Sequence, residues 1–495
     1  MKVNRTLFGI SAAAALLFGS PALAETGKEP DELRTELKKL REEVEALKAA
    51  AKKNEAVKPA EPEAKPGEEG PTLPERVELL ELKQKDAVVG GDIGNSYRLP
   101  GTETSLHLYG FAELNYVHEF RGDNADIDYS TFAPYLPLYG SDASNRKGRD
   151  YFTARTSRIG LDAATPTKFG PLLVKLEGDF NNNPATGNTE LYGRVSDIYT
   201  QQVTSSYGFR IRQAYGSFAG LLAGMSWSTF MDVDNSPETV DFNGPIGATF
   251  IRQAQLRYTY ATPTWGNFTV ALENSDSYAL QQDVDAAGNP LPSATATTNG
   301  FSRLPDLIAR WDGSFDWGTV SARALTHEIR VQAGSSAQAA SYRGYGLAAT
   351  ALVKMRDNQD YLSLGVTFGD GIGRYMNYIE GAFYDPATNR VIVEQAIGAV
   401  VGYQYKPTDW VRFNLVGGFT RNFDNDYTTY ARSIGADSGR FGINRMTRQV
   451  HFGPIFTPIK SVDLGVEGIW GDRETLKGEK GDMARFNFSA KYYIF

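Results

Sequence analysis

The stretch LHLYGFAELNYVHEF (residues 106–120) decides how this chain is read. Leu106, Leu108, Gly110, Ala112, Leu114 and Tyr116 share one side of an extended backbone, while His107, Tyr109, Glu113 and Asn115 share the other. Successive side chains of a strand point to opposite faces, so this segment makes a strand with one apolar and one polar face. The pattern returns in GPLLVKLEGDF (170–180), QAQLRYTY (253–260), NFTVALE (267–273) and WVRFNLV (410–416). A half-solvated soluble sheet would alternate in the same way, and the connectors separate the two cases. Short turns rich in Pro, Gly, Asp and Asn fall at 165–170, 219–220, 262–267, 316–318, 356–360, 406–409 and 457–461. Between them lie longer polar segments at 121–150, 181–206, 231–250, 275–304, 331–342, 369–396, 421–445 and 471–482. Strict alternation of short and long connectors is the plan of an outer-membrane barrel, with short periplasmic turns and long outer loops. The pattern predicts an all-β transmembrane fold, a 16-stranded antiparallel porin-type barrel over residues 106–495, with both barrel ends at the periplasmic side.

The two chain ends agree with this reading. Residues 1–24 carry Lys2 and Arg5, an apolar stretch from Leu7 to Phe18, and Ala22-Leu23-Ala24, the pattern of a secretory signal peptide cut before Glu25. Leu33, Leu37, Leu40, Val44, Leu47 and Ala51 then follow the a/d spacing of a coiled coil, which places a periplasmic helix at 25–57. Residues 58–105 read as a Pro-rich linker (Pro59, Pro62, Pro66, Pro71, Pro74) and a second short helical seam at Leu73, Val77 and Leu80. The chain finishes on SAKYYIF, and Phe495 would end the closing strand in the periplasmic aromatic girdle. Phe486, Phe488, Ala490 and Tyr492 share a face from which Phe495 is out of phase. Either a bulge near Tyr492–Tyr493 restores the phase, or the face assignment differs.

With 12% aromatics, 50 Gly and no Cys, a disulfide framework is excluded, and no later stretch is apolar for long enough to make a membrane-spanning helix. The formal charge of −8 argues against nucleic acid as a partner.

Several stretches resemble the DcaP-like family of trimeric outer-membrane porins: YFTARTSRIGLDAATPTKFGPLLVKLEGDF (151–180), RIRQAYGSFAGLLAGMSWSTFMD (210–232), LPDLIARWDGSFDWG (304–318), VTFGDGIGRYM (366–376) and VDLGVEGIWGDRETL (462–476). The resemblance implies a sixteen-strand homotrimer in outer-membrane lipid with an N-terminal periplasmic coiled coil. It also implies passive diffusion of small organic anions, dicarboxylates among them. The C-terminal Phe495 resembles the signal read by the barrel-assembly machinery.

A pore needs lumen-facing groups that replace hydration and set the sign of the field. Inward parity nominates Arg158, Lys175, Arg210, Arg212, Arg257, Arg310 and Arg323. Arg155 joins them although its parity is opposite to that of Arg158. The planar guanidinium binds carboxylates bidentately, and turning it to hydrocarbon costs roughly 2–4 kcal/mol at mid-depth. The alternative role is bracing, for which Glu177, Asp179, Glu273 and Asp306 are inward partners. The barrel's acidic and basic residues nearly balance, so only local clustering would select anions. The third long segment, MDVDNSPETVDFNGPIGATF (231–250), carries Asp232, Asp234, Glu238 and Asp241 and is read as a constriction loop opposing the arginines.

No catalytic, cofactor or metal signature emerges. GDGIG (369–373) has the wrong spacing for a dinucleotide fingerprint. DVDNS (232–236) lacks the Gly and distal Glu of a calcium loop. His107, His118, His327 and His451 show no ligand spacing. A structural tether, with the N-terminal helix on the cell wall, is the competing function. Eight strands suffice for an anchor, whereas about sixteen leave an aqueous channel.

Overall fold

A computed structural model of the chain describes residues 89–122, 131, 133–182, 207–334, 338–376 and 379–494. The segments read above as a signal peptide, a coiled coil and most of a linker, and Phe495, lie outside the described residues. Sixteen antiparallel strands follow one another around a closed wall: β1 (Ser105–Arg121), β2 (Arg149–Thr153 and Arg158–Thr165), β3 (Leu172–Asn182), β4 (Gly208–Phe218), β5 (Leu221–Trp227), β6 (Arg252–Thr262), β7 (Gly266–Glu273) and β8 (Asp306–Phe315). They continue as β9 (Gly318–Val331), β10 (Ala340–Met355), β11 (Asp360–Asp370), β12 (Gln395–Thr408), β13 (Val411–Asn422), β14 (Asn444–Ile459), β15 (Val462–Thr475) and β16 (Lys480–Tyr493). Each pairs with its neighbours in sequence, and β16 closes onto β1 from Ala484↔Arg121 to Tyr493↔Phe111. Closure removes every free edge, which a membrane requires because lipid offers backbone groups no partner.

The faces follow the alternation. Leu256, Tyr258 and Tyr260 on β6, with Phe268, Val270 and Leu272 on β7, are exposed outward to form the apolar belt. Gln253, Gln255, Thr269 and Glu273 are buried inside. The β4–β5 turn, Ala219–Gly220, has φ of 50° and 82°. Two successive positive φ values are what a two-residue hairpin connection matched to strand twist needs.

Three features depart from the periodicity. The eighth long segment, 471–482, is mostly strand: Gly471 to Glu474 pair with Met483 to Lys480, and the connector shrinks to 476–479. Register runs without a shift through Tyr492 on both neighbours and through Tyr493 on β1, so no bulge lies there. Tyr493 faces inward, its hydroxyl donating to Asp463 at 3.1 Å, while Tyr492 is exposed outward. Before β1, a small hairpin (Val89–Gly90 with Tyr97–Arg98) pairs onto the base of β1 at Leu106 and Ser105.

The outer connectors form their own small core. Residues Leu280–Val284, Pro290–Ala296, Ala382–Asp385 and Arg390–Val393 build a four-stranded sheet. Helix α1 (Asp426–Ser433), begun by an Asn425 capping box, packs Tyr427 and Ala431 against Leu280 and Phe383.

Candidate functional site: the barrel lumen

The third outer connector (228–251) folds into the barrel, because every anchor it finds is an inward-facing group. Arg310 Nη1 donates to the Met231 carbonyl at 2.6 Å, and Arg323 Nη1 donates to the Phe230 carbonyl at 3.2 Å. Glu238 takes a two-pronged bond from Arg412 at 2.7 and 2.9 Å. The two oxygens of Glu467 accept the Val240 and Asp241 backbone N–H groups at 2.9 and 3.0 Å. Gln449 accepts the Ile246 N–H at 3.2 Å. The loop thus lies along the inner face from β8 to β15.

Glycines make that contact possible. A Cβ on Gly418 would stand 2.0 Å from the Ile246 carbonyl oxygen, and one on Gly402 would stand 2.3 Å from Pro237 Cβ. Gly465 in the same way admits Val240. With no side chains on these strand positions, the wall backbone admits the Ile246 carbonyl and the Pro237 and Val240 side chains of the loop.

The wall that the loop leaves open carries a cationic cluster. Glu177 and Asp179 on β3 sit among Arg158, Arg210 and Arg212. Arg212 Nε donates to Glu177 at 2.9 Å and its Nη1 to Asp179 at 2.8 Å. Arg210 grips Asp179 with two bonds of 3.0 and 2.8 Å. Arg158 reaches Glu177 only at 3.6 Å. Arg252 joins them electrostatically, its guanidinium 4.8 Å over the Trp227 ring. Phe242 from the loop closes the cluster, 5.5 Å from the Arg212 guanidinium and 5.8 Å from that of Arg210. Four guanidiniums around two carboxylates leave a positive excess.

Two irregularities build this cluster, and each inverts the strand parity. Between β3 and β4 the register jumps from Glu177↔Gln213 to Gly178↔Ile211, so Arg212 is the extra residue of a bulge. Arg210 and Arg212 above it, and Gln213 and Tyr215 below it, therefore all face the lumen. In β2 the chain spends 154–157 opposite three residues of β1, since Thr153 pairs with Asn115 and Arg158 with Phe111. The extra residue lets Arg155 and Arg158 both turn inward despite opposite parity. Arg155 is buried, its guanidinium 3.7 Å over the Tyr207 ring.

The remaining nominated residues divide by their partners. Lys175 is neutralised by Asp162 at 2.6 Å and also donates to the Tyr109 hydroxyl at 2.9 Å. Arg310 and Arg323 are cross-strand neighbours, held apart by Asp312 and by the loop backbone. Arg257 is half-buried and makes no hydrogen bond or ion pair among the described residues; Tyr215 and Glu273 are its electrostatic neighbours.

Of the four loop carboxylates, Asp232 is bound by Thr350, Asn235 and Arg310, and Glu238 by Arg412. Asp241 is buried and accepts the Thr131 N–H at 2.8 Å. Burial pushes its carboxyl above the usual range. Asp234 has no hydrogen bond or ion pair among the described residues and opens onto the lumen. The protein surrounding it, with the Asp232 carboxylate beside it, pushes Asp234 up to about 6.

Alternation nominates neither Arg252, which has outward parity at the top of β6, nor the loop residue Phe242. Arg412 does have inward parity in WVRFNLV, and the signal that would pair it with the loop is the lone Glu238 at the loop's centre.

The family model of the DcaP outer membrane protein matches residues 97–494. No curated protein matches the chain. Among solved structures, the outer membrane channel DcaP of Acinetobacter baumannii is similar at a TM-score of 0.64 and 23% identity, covering 82% of this chain and 100% of that one. OmpT of Vibrio cholerae is similar at a TM-score of 0.45 and 13% identity, covering 80% of this chain and 99% of that one. OmpF of Salmonella typhi is similar at 0.46 and 12%, covering 79% and 98%. The first of these likenesses supports the fold.

Proposed function

We propose, from the premise that this chain belongs to the DcaP outer membrane protein family, that it is a passive outer-membrane channel for small organic anions, dicarboxylates among them. It works as a homotrimer in outer-membrane lipid, with the N-terminal segment in the periplasm and Phe495 as the mark read by the barrel-assembly machinery. The carrying observation is the excess of guanidinium over carboxylate around Glu177 and Asp179, together with Arg257, which has no hydrogen bond or ion pair among the described residues.

A carboxylate entering from outside meets the third loop on one side and this wall on the other. The part-exposed guanidiniums of Arg158 and Arg210 offer it N–H donors in place of the water it sheds, while buried Arg212 adds its charge. Glu177 and Asp179 hold Arg210 and Arg212 in place, and Trp227 and Phe242 stack on the cluster, so the donors are oriented before the solute arrives. They also moderate the field, so a solute is admitted and then released. Among the described residues Arg158, paired only by the long Glu177 contact, Arg252 and Arg257 are the most loosely paired cations and carry most of the attraction.

The test is Arg158→Ala with Arg257→Ala in a planar bilayer. An ion passing about 5 Å from a unit charge in water feels roughly 0.8 kcal/mol, about a fourfold change in local concentration per charge. The double variant therefore shifts the reversal potential toward cations and weakens the block of the current by succinate. An unchanged reversal potential at intact conductance would make these arginines wall braces and overturn the reading.

A further inference from the structure

Where the first, sixth and seventh outer connectors meet over the barrel mouth, they enclose a cavity with room for the centre of a water-sized sphere over about 20 Å³. That holds one water or one ion. Its lining sets four carboxylate and amide side chains among apolar residues such as Ile379, Phe441 and Ile443. Glu380 and Glu394 come from the sixth connector, and Asn422 and Asn444 from the facing ends of β13 and β14. Glu394 and Asn422 are more than nine-tenths buried.

The amide oxygens of Asn422 and Asn444 are buried, and neither has a hydrogen-bond partner among the described residues. Their orientation is set, because Asn422 Nδ2 donates to the Asn444 carbonyl at 2.7 Å and Asn444 Nδ2 donates to the Pro134 carbonyl at 2.9 Å. Turning either amide over would press oxygen against oxygen. The carboxylates are oriented too. Glu380 accepts from the Tyr135 hydroxyl and, at 2.9 Å, from that of Tyr278, and Glu394 accepts the Gly381 N–H at 2.6 Å. Arg445 is the one basic side chain of the lining, and it turns toward the Leu476 carbonyl at 3.5 Å. Its single charge leaves the two carboxylates one short.

We propose that this cavity is a site for one hard divalent cation, calcium by size and ligand class, bound by Glu380, Glu394 and the amide oxygens of Asn422 and Asn444. Among the described residues no three His, Cys, Asp or Glu side chains converge on a metal site. Two carboxylates completed by neutral amide oxygens make the weaker kind of calcium site, suited to the millimolar calcium outside a cell. The tyrosine hydroxyls and the Gly381 N–H act as the outer partners that hold such ligands in place. The ion ties the first, sixth and seventh connectors together and, through Tyr278, the fourth.

The full-length chain, refolded in detergent free of lipopolysaccharide, tests this with terbium as the calcium probe. Tyr135 and Tyr278 border the carboxylates and sensitise terbium emission. Saturable emission that calcium displaces is expected. Glu380→Gln with Glu394→Gln should weaken the apparent affinity by roughly tenfold or more, the scale on which ligand charge tunes such sites. Asp316→Asn, in a periplasmic turn, should change nothing. Heat-modifiable migration on gels confirms folding of each variant. If the double variant does not fold, Asn422→Ala, which keeps both carboxylates, should weaken binding in its place. A wild-type chain without saturable emission, as a cavity filled by water alone would give, overturns the proposal. So does emission unchanged in the folded variants.

Discussion

Replacing Gly418 by Ala drives a wedge between the third loop and the wall. The new methyl carbon would lie 2.0 Å from the Ile246 carbonyl oxygen. Such a pair cannot approach closer than about 3 Å, so one backbone must retreat by about 1 Å. β13 is held on both sides by β12 and β14, whereas the loop at this point is held by the bond from the Ile246 N–H to Gln449 and by packing of the Ile246 side chain against Leu136, Ile469 and Met483. The loop therefore gives way and shifts off the wall. Overpacking of this kind costs about 1–3 kcal/mol, and a strained Gln449 bond adds about 1 kcal/mol. The strand ladder is untouched, so the barrel keeps its heat-resistant migration. Single-channel conductance falls. Gly417→Ala is the matched control, since its Cβ meets no atom closer than 3.8 Å. Equal conductance in both variants and wild type would show that the loop does not border the conducting path.

Asp234 is the free acid of the loop, and its carboxyl is pushed up to about 6. Acidification from pH 7 to 5 protonates it, removes a negative charge from the lumen and raises the anion-to-cation permeability ratio, a change that Asp234→Asn abolishes. Arg310→Ala removes the cation bound to Asp312, takes one of several partners from Asp232 and frees the Met231 carbonyl, so its heat-induced unfolding comes earlier. Stranding a buried partner in this way costs about 3–5 kcal/mol. Arg257→Ala, with no bonded partner to strand, unfolds like the wild type. Deleting residues 25–88 leaves a folded, conducting barrel, because the deletion takes no wall strand; loss of heat resistance in that variant would refute the division between the two regions.

The barrel was legible because two faces in different solvents impose alternation on every strand. LHLYGFAELNYVHEF shows the same faces in sequence and structure, with Glu113 and Asn115 buried inside and Leu108 and Leu114 exposed outward. Strand count and order followed from turn chemistry. Alternation fails where the backbone adds a residue, since an extra residue inverts the phase of everything beyond it. That is why Arg155 and Arg158, of opposite parity, share the lumen, and why Tyr215 stands with Arg212. Partnership was less legible still. Nothing along the chain announces that Arg412 holds Glu238 across 174 positions, or that Gly418 is small to admit a loop carbonyl. Those facts belong to closure of the ring, which brings distant strands to one surface. The eighth connector was overestimated because GDRETL and KGD are polar for lumen and rim, not for a loop.

The sign of the field in the lumen decides whether these arginines attract anions. The reversal potential of the wild-type channel across a KCl gradient measures it most directly. With four guanidiniums around two carboxylates and Arg257 without a hydrogen bond or ion pair among the described residues, the potential settles toward the chloride equilibrium value. A potential near zero, or one displaced toward potassium, would contradict the assignment of these arginines as the anion-attracting wall.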